Sequence, residues 1–144
     1  MAGQPASSRM NILIADDEEG CRDLLRDIFA PTPEVTLTMT CDGAQAWWAL
    51  TEPQQRFDLG IFDLKMPVVD GLALIARIRG AAHLRHLPVI LCTGTSDRET
   101  VAKAARLSIN HYVVKPYRAV ALREKALTYS PRYALGPDRT LLSS

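Results

Sequence analysis

An excess of charge of either sign is nearly absent from this sequence: 17 lysines and arginines stand against 16 aspartates and glutamates, a formal net charge of +1. That balance gives no broad attraction to nucleic acid or to an anionic lipid surface, so any function rests on local arrangement. A long apolar run is also missing. No stretch approaches the roughly 18 uninterrupted apolar residues of a membrane span, and Met1-Ala2-Gly3-Gln4-Pro5 has no signal-peptide core. The expectation is a cytoplasmic protein that does not engage a membrane. Cysteine is scarce as well. Cys21, Cys41 and Cys92 are odd in number and lack CxxC spacing, which argues against a disulfide framework or a zinc site. They read as packed or idle thiols, with Cys41, beside a turn signal, the most accessible. His83, His86 and His111 have neither the spacing nor the acidic partners of a catalytic or metal set and read as surface or packing residues.

What is present is ordinary globular usage, 47% apolar and 23% charged residues in a chain of 144. That suffices for one core and is too short for a receptor carrying a separate effector. Residues 1–9 are small and polar and read as a flexible leader. Residues 10–130 carry the periodic pattern. Residues 131–144 hold too little apolar material for a further module and read as a tail or linker stub, from a free-standing protein or one cut from a longer chain. With no DNA-reading helices after Ser130, direct DNA binding is not expected.

Between these ends, short apolar runs alternate with helical periodicity. Strands are expected at Asn11–Ala15, Val35–Met39, Asp58–Phe62, Leu87–Cys92 and His111–Val114. The first expected helix, Gly20–Ala30, spaces Cys21, Leu24, Leu25 and Ile28 toward a core. After the Asp42-Gly43 turn, a second over Ala44–Leu50 turns Ala46, Trp47 and Leu50 inward and leaves Trp48 about 100° away. A third opens at Gly71, directs Leu72, Ile75 and Ile78 at a sheet and closes at Gly80. Ser96-Asp97-Arg98-Glu99 reads as a capping box for a fourth, Asp97–Leu107, whose Arg98, Lys103 and Arg106 form a solvated face. Arg118–Tyr129 is the fifth. Such alternation predicts an α/β fold with a mostly parallel five-stranded sheet covered on both sides.

All strand C-termini of a parallel sheet lie along one edge, so this pattern brings Asp16, Asp17, Asp63, Thr93 and Lys115 toward one crevice, where ligands of open α/β sheets bind. Glu18 and Glu19 are explained by the helix start that follows them. The other acids are not. Two carboxylates about 4 Å apart repel by roughly 4 kcal/mol at an effective dielectric of 20, which implies an intervening divalent cation. An oxygen-only ligand set points to Mg²⁺, with Mn²⁺ as the alternative.

Taken in order, Asp16-Asp17, Asp63-x-x-Met66-Pro67-x-x-Asp70-Gly71, Thr93-Gly94 and Lys115-Pro116 resemble the receiver domain of two-component response regulators, with the length of the stand-alone chemotaxis regulators. The resemblance runs from about Met10 to Ser130. It implies a flavodoxin-like, doubly wound sheet of order 2-1-3-4-5. It implies a phosphorelay switch in which Asp63 accepts a phosphoryl group from the phosphohistidine of a sensor histidine kinase or phosphotransfer protein. In that pattern Asp17 and Asp63 bind Mg²⁺ through side chains, Lys65 through its backbone carbonyl and Asp16 largely through water. Thr93 and Lys115 each bond a phosphoryl oxygen, and the Lys115-Pro116 bond is cis. Thr93 and Tyr112 form the switch. It acts on a downstream protein through the face made by the fourth helix, fifth strand and fifth helix, including Lys103, Tyr117 and Arg118; a homodimer is compatible with the same pattern.

Gly94 and Ser108-Ile109 depart from the family's usual alanine and Gly-Ala, the latter beside the partner face. Lys65 stands where residue identity influences dephosphorylation. An aspartyl-phosphate phosphatase of the haloacid-dehalogenase type is the enzyme alternative, but its second acid lies two residues after the nucleophile, where Lys65 stands. A docking module without phosphorylation is the third reading, set against the presence of all five functional positions.

Overall fold

The apolar runs are too short for buried helices and pair instead as parallel strands, while the amphipathic stretches between them cross over as helices. In the computed structural model, which describes residues 9–94 and 97–131, the order is β1 (Met10–Ala15), α1 (Glu19–Phe29), β2 (Val35–Thr40), α2 (Gly43–Thr51), β3 (Leu59–Asp63), α3 (Gly71–Gly80), β4 (Val89–Thr93), α4 (Arg98–Arg106), β5 (His111–Val114) and α5 (Ala119–Leu127). The sheet order is β2-β1-β3-β4-β5, with every neighbouring pair parallel. The expected leader, apart from Arg9, the residue Ser96, and the expected tail beyond Pro131 lie outside the described residues.

Strand alternation sends side chains to two apolar layers. Ile12, Ile14, Ile61, Ile90 and Cys92 meet Leu25, Ile28 and Phe29 of α1 and Leu122 and Ala126 of α5. Leu13, Ala15, Phe62 and Leu91 meet Ala46 and Leu50 of α2 and Leu74, Ile75 and Ile78 of α3. Each fully buried Leu, Ile or Phe of these layers contributes about 1.5–3 kcal/mol.

Helix orientation departs from the sequence reading in several places. On α1, Phe29 is buried and Leu24 is 42% exposed, because Leu25, Ile28 and Phe29 form the i, i+3, i+4 stripe that meets the sheet. On α3 the buried stripe is Leu74, Ile75 and Ile78, and Leu72 is only partly buried. Trp47 packs partly buried against its layer, while Trp48 is 76% exposed. Asp42 caps α2 by accepting from the Gln45 N–H at 2.8 Å. The cap of α4 is Asp97 rather than Ser96: its carboxylate accepts from the Thr100 N–H at 2.9 Å and from the Thr100 hydroxyl at 3.0 Å. Gly80 is the last residue of α3, and its C-cap Ala81 is extended, so no left-handed glycine is used there.

The β3–α3 connection is tight. Asp70 caps α3 through the Ala73 N–H at 2.8 Å, and the Gly71 N–H donates to the Leu64 carbonyl at 2.8 Å. A Cβ at Gly71 would run into the Asp63 carbonyl, so only glycine lets the helix start this close to the strand end. Between them Val68 has φ 70° while the Val69 N–H donates to the Pro67 carbonyl at 2.8 Å, a γ-turn of the strained hand. A β-branched residue there costs about 1–3 kcal/mol. Val68 is 81% exposed and gives up no packing when replaced. Val68→Gly is therefore expected to stabilise the fold by about 0.5–1 kcal/mol after the entropy cost of glycine. Urea unfolding with an unchanged slope and a raised midpoint would show it; a lowered midpoint would mean the turn is not strained.

Candidate functional site

Strand register builds the site. Asp63 ends β3 opposite Cys92, and Thr93 ends β4 opposite Val114. The Lys115 N–H donates to the Thr93 carbonyl at 2.7 Å, and the Asp16 N–H to the Thr40 carbonyl at 3.1 Å. Asp16, Asp17 and Asp63 present carboxylate oxygens that all lie within 4.8 Å of one another. Asp16 is 1% exposed, Asp63 is 7% exposed and Asp17 opens to solvent. A cleft of about 520 Å³ lies above them, lined by Asp17, Glu18, Asp63, Lys65, Thr93, Gly94 and Lys115.

The Lys115 ammonium bridges the buried acids. It donates to Asp16 Oδ2 at 3.1 Å and lies 3.3 Å from Asp63 Oδ1, with Glu18 Oε1 at 3.8 Å. The other Asp16 oxygen accepts from the Glu18 N–H at 3.0 Å, and the Asp16 carbonyl accepts from Arg22 Nη1 at 2.7 Å. Burial followed by the charge of Asp16 pushes the Asp63 carboxyl up to about 6, despite Lys115. Burial alone would lower Lys115, but the Asp16 and Asp63 charges offset that and hold it above its ordinary value. One cation facing three carboxylates leaves an excess of negative charge in oxygen donors. That donor set fits a hard divalent cation.

All the acids, the hydroxyl and the lysine expected from the sequence thus converge, and the Lys115-Pro116 bond is cis. Tyr112 is partly buried, and its hydroxyl lies near the Thr93 side chain. Tyr117 differs from expectation. It packs partly buried in the α1/α5 layer with Lys115 over its ring, rather than facing outward with Lys103 and Arg118. Sequence reasoning also missed Cys21, whose sulfur lies 3.5 Å from Lys115 Nζ, and Arg22. Their helical spacing after Asp17 was the available signal, one turn along the face that meets the strand ends.

The model of the response regulator receiver domain matches residues 12–127. The chain belongs to that family. It is therefore a phosphorelay signalling switch. It is 37% identical over 124 residues to the chemotaxis protein CheY-3 of Vibrio cholerae, covering 83% of this chain and 90% of that one. Among solved structures, it is similar to the signal receiver domain of a signal transduction histidine kinase from Syntrophus aciditrophicus, with a TM-score of 0.77 and 28% identity, covering 89% and 93% of the two chains. The fold also matches the receiver domain of sensor histidine kinase PA1611 from Pseudomonas aeruginosa, at a TM-score of 0.73 and 22% identity over 84% and 97% of the chains; that protein was solved with a magnesium ion coordinated in its active site cleft. Receiver domains act between histidine kinases or phosphotransfer proteins and downstream targets, which sets the class of partner. Among the described residues no helix is long and apolar enough to cross a membrane.

Proposed function

We propose that Asp63 is the phospho-acceptor of this receiver and that residues 10–130 form the functional unit, working in the cytoplasm. The observation that carries this is the Lys115 ammonium held between Asp16 and Asp63 at the floor of an open acidic cleft. An Asp63 oxygen attacks phosphorus, the P–N bond to the donor histidine breaks, and the imidazole leaves. Lys115 then exchanges its Asp63 contact for a phosphoryl oxygen. Mg²⁺, with Mn²⁺ as the alternative, would be held by Asp17, Asp63 and the Lys65 carbonyl, with Asp16 mainly through water. When bound, the metal neutralises charge on the transferring group. The chain thereby promotes its own phosphorylation and slow dephosphorylation. Incubation with acetyl phosphate and Mg²⁺ tests the reading: a stable mass gain of one phosphoryl group at Asp63 is expected, whereas rapid turnover would indicate a phosphatase and no reaction a docking module.

The metal set has its own prediction. Asp17→Ala removes a direct ligand that is already solvent-open, so the fold is retained and Mg²⁺ affinity is expected to fall about ten-fold or more, a loss of about 1.4 kcal/mol or above. An unchanged metal titration would remove Asp17 from the ligand set.

For output, Thr93 and Tyr112 form the relay. A phosphoryl group on Asp63 offers the Thr93 hydroxyl a charge-assisted bond worth about 1.5–3 kcal/mol, drawing Thr93 away from its place beside Tyr112. Released, Tyr112 can turn inward and change the α4–β5–α5 face, where Val101, Val114 and Val120 are exposed. A bias of that size shifts a two-state population about ten- to one-hundred-fold. Thr93→Ala is expected to accept phosphate at Asp63 yet show a weakened response at Tyr112, read from amide shifts with and without beryllofluoride. Parent shifts confined to the acidic cleft would sink the relay.

A further inference from the structure

Lys115 is held by more than its acids. The Tyr117 ring centroid lies 5.8 Å from the ammonium nitrogen, close enough for the negative face of the ring to attract the cation. The ring is itself fixed: it is partly buried and packs against the apolar layer to which Cys92 belongs. Cys92 is fully buried in β4, stands opposite Asp63 in register, and its carbonyl accepts from the Leu64 N–H at 2.8 Å. A chain of packing therefore runs from β4, beside the strand end that carries Asp63, through the layer that holds Cys92 and the Tyr117 ring, to the lysine that faces Asp63. Its members are a central strand and a ring packed in the α1/α5 layer, both stiffer than a four-carbon lysine stem.

We propose that Tyr117 is a positioning residue for phosphoryl transfer, its ring, packed in the α1/α5 layer, fixing the Lys115 ammonium beside Asp63. This rests on Asp63 being the phospho-acceptor. As the phosphoryl group arrives, the ammonium leaves a carboxylate oxygen and takes a phosphoryl oxygen. The contact with the ring does not depend on which of the two it holds. A stem supported in this way stays aimed through the exchange, and an unsupported one must be re-aimed at each turnover. Lys115 remains the residue that touches the reacting group; Tyr117 acts through it.

The test measures labelling of the full chain by acetyl phosphate at saturating Mg²⁺, with metal affinity titrated in parallel. Tyr117→Leu is expected to slow labelling by about ten-fold with Mg²⁺ affinity within about two-fold of the parent, and Tyr117→Phe, which keeps the ring, to recover most of the rate. In a Lys115→Met background, Tyr117→Leu should have no further effect. A Tyr117→Leu protein that labels at the parent rate, a Tyr117→Phe protein as slow as Tyr117→Leu, or an equal loss in the Lys115→Met background would each overturn the role. A parent that does not label at Asp63 fails the phospho-acceptor reading itself and takes the role with it, a result distinct from the other three. If Tyr117→Leu does not fold, the parent still decides: Lys115 side-chain protons near the ring should be shifted upfield, and ordinary lysine shifts overturn the contact.

Discussion

Replacing Asp63 with asparagine is expected to abolish Mg²⁺-dependent labelling by acetyl phosphate while leaving the chain folded. The amide is a poor nucleophile and a weaker metal ligand, so both contributions of the side chain go together. The fold has no need of the charge. Burial first, and Asp16 second, push the Asp63 carboxyl up to about 6 from 3.8, which means that the folded, metal-free protein prefers it neutral. For a carboxyl raised in this way, the stability contribution is fully present below the unfolded value and is lost as pH rises through about 6. The amide of the variant does not titrate. Relative to the parent, the metal-free Asp63→Asn protein should therefore gain stability as pH rises from about 4 to above 6. Urea midpoints at the two ends of that range read the sign directly. Normal labelling of Asp63→Asn at another residue would remove the assignment of the acceptor.

Arg79→Met should be among the most damaging changes to a polar side chain away from the site, lowering unfolding free energy by about 2–3 kcal/mol. Arg79 has no carboxylate partner among the described residues. Instead its guanidinium donates from Nε to the Leu107 carbonyl at 2.8 Å, from Nη1 to Leu87 at 2.7 Å and Arg85 at 3.0 Å, and from Nη2 to Ser108 at 3.1 Å. One side chain thus ties the end of α3 to the segment before β4 and to the turn between α4 and β5. Ser108, at φ 55°, occupies the left-handed region that a glycine would enter more readily, and the Arg79 bond helps to hold it there. Methionine keeps the stem and deletes every donor. The water-accessible carbonyls of Arg85 and Ser108 can be rehydrated, which is why the loss stays well below the sum of separate bonds. Arg79→Lys, with a point charge in place of a planar fork, should recover less than half. A loss under about 0.5 kcal/mol, typical of an ordinary surface change, would show that these bonds exchange freely with water.

Much of the fold was legible because parallel strands buried on both faces are short apolar runs, and each here stops abruptly at a polar residue. The ends of β1, β3, β4 and β5 deliver Asp16, Asp63, Thr93 and Lys115 to one edge, as the sequence reading expects, since strand direction alone decides that edge. Helix faces were less legible. A leucine at 24 and one at 25 satisfy the same period within the tolerance of a single turn, and only contact with the sheet selects Leu25. The cap of α4 shows the same limit, because Ser96 and Asp97 are both good caps by type and the bonds to Thr100 decide between them.

Residue order by itself therefore determined the class of fold, the strand edge that bears the acids, and the family to which the chain belongs, because each follows from periodicity or from motifs a few residues long. The tertiary structure alone decided what surrounds those acids. Cys21 lies 94 positions from Lys115 and Arg79 lies 28 from Leu107, so no local pattern pairs them. The inward turn of Tyr117 follows from packing against the layer that Cys92 of β4 belongs to, with α4 and β5 between them in the chain. Local periodicity is short-ranged, whereas desolvation and hydrogen bonding act between whatever side chains the crossovers bring together, and it is those interactions that set the charge state of Asp63 and the position of Lys115.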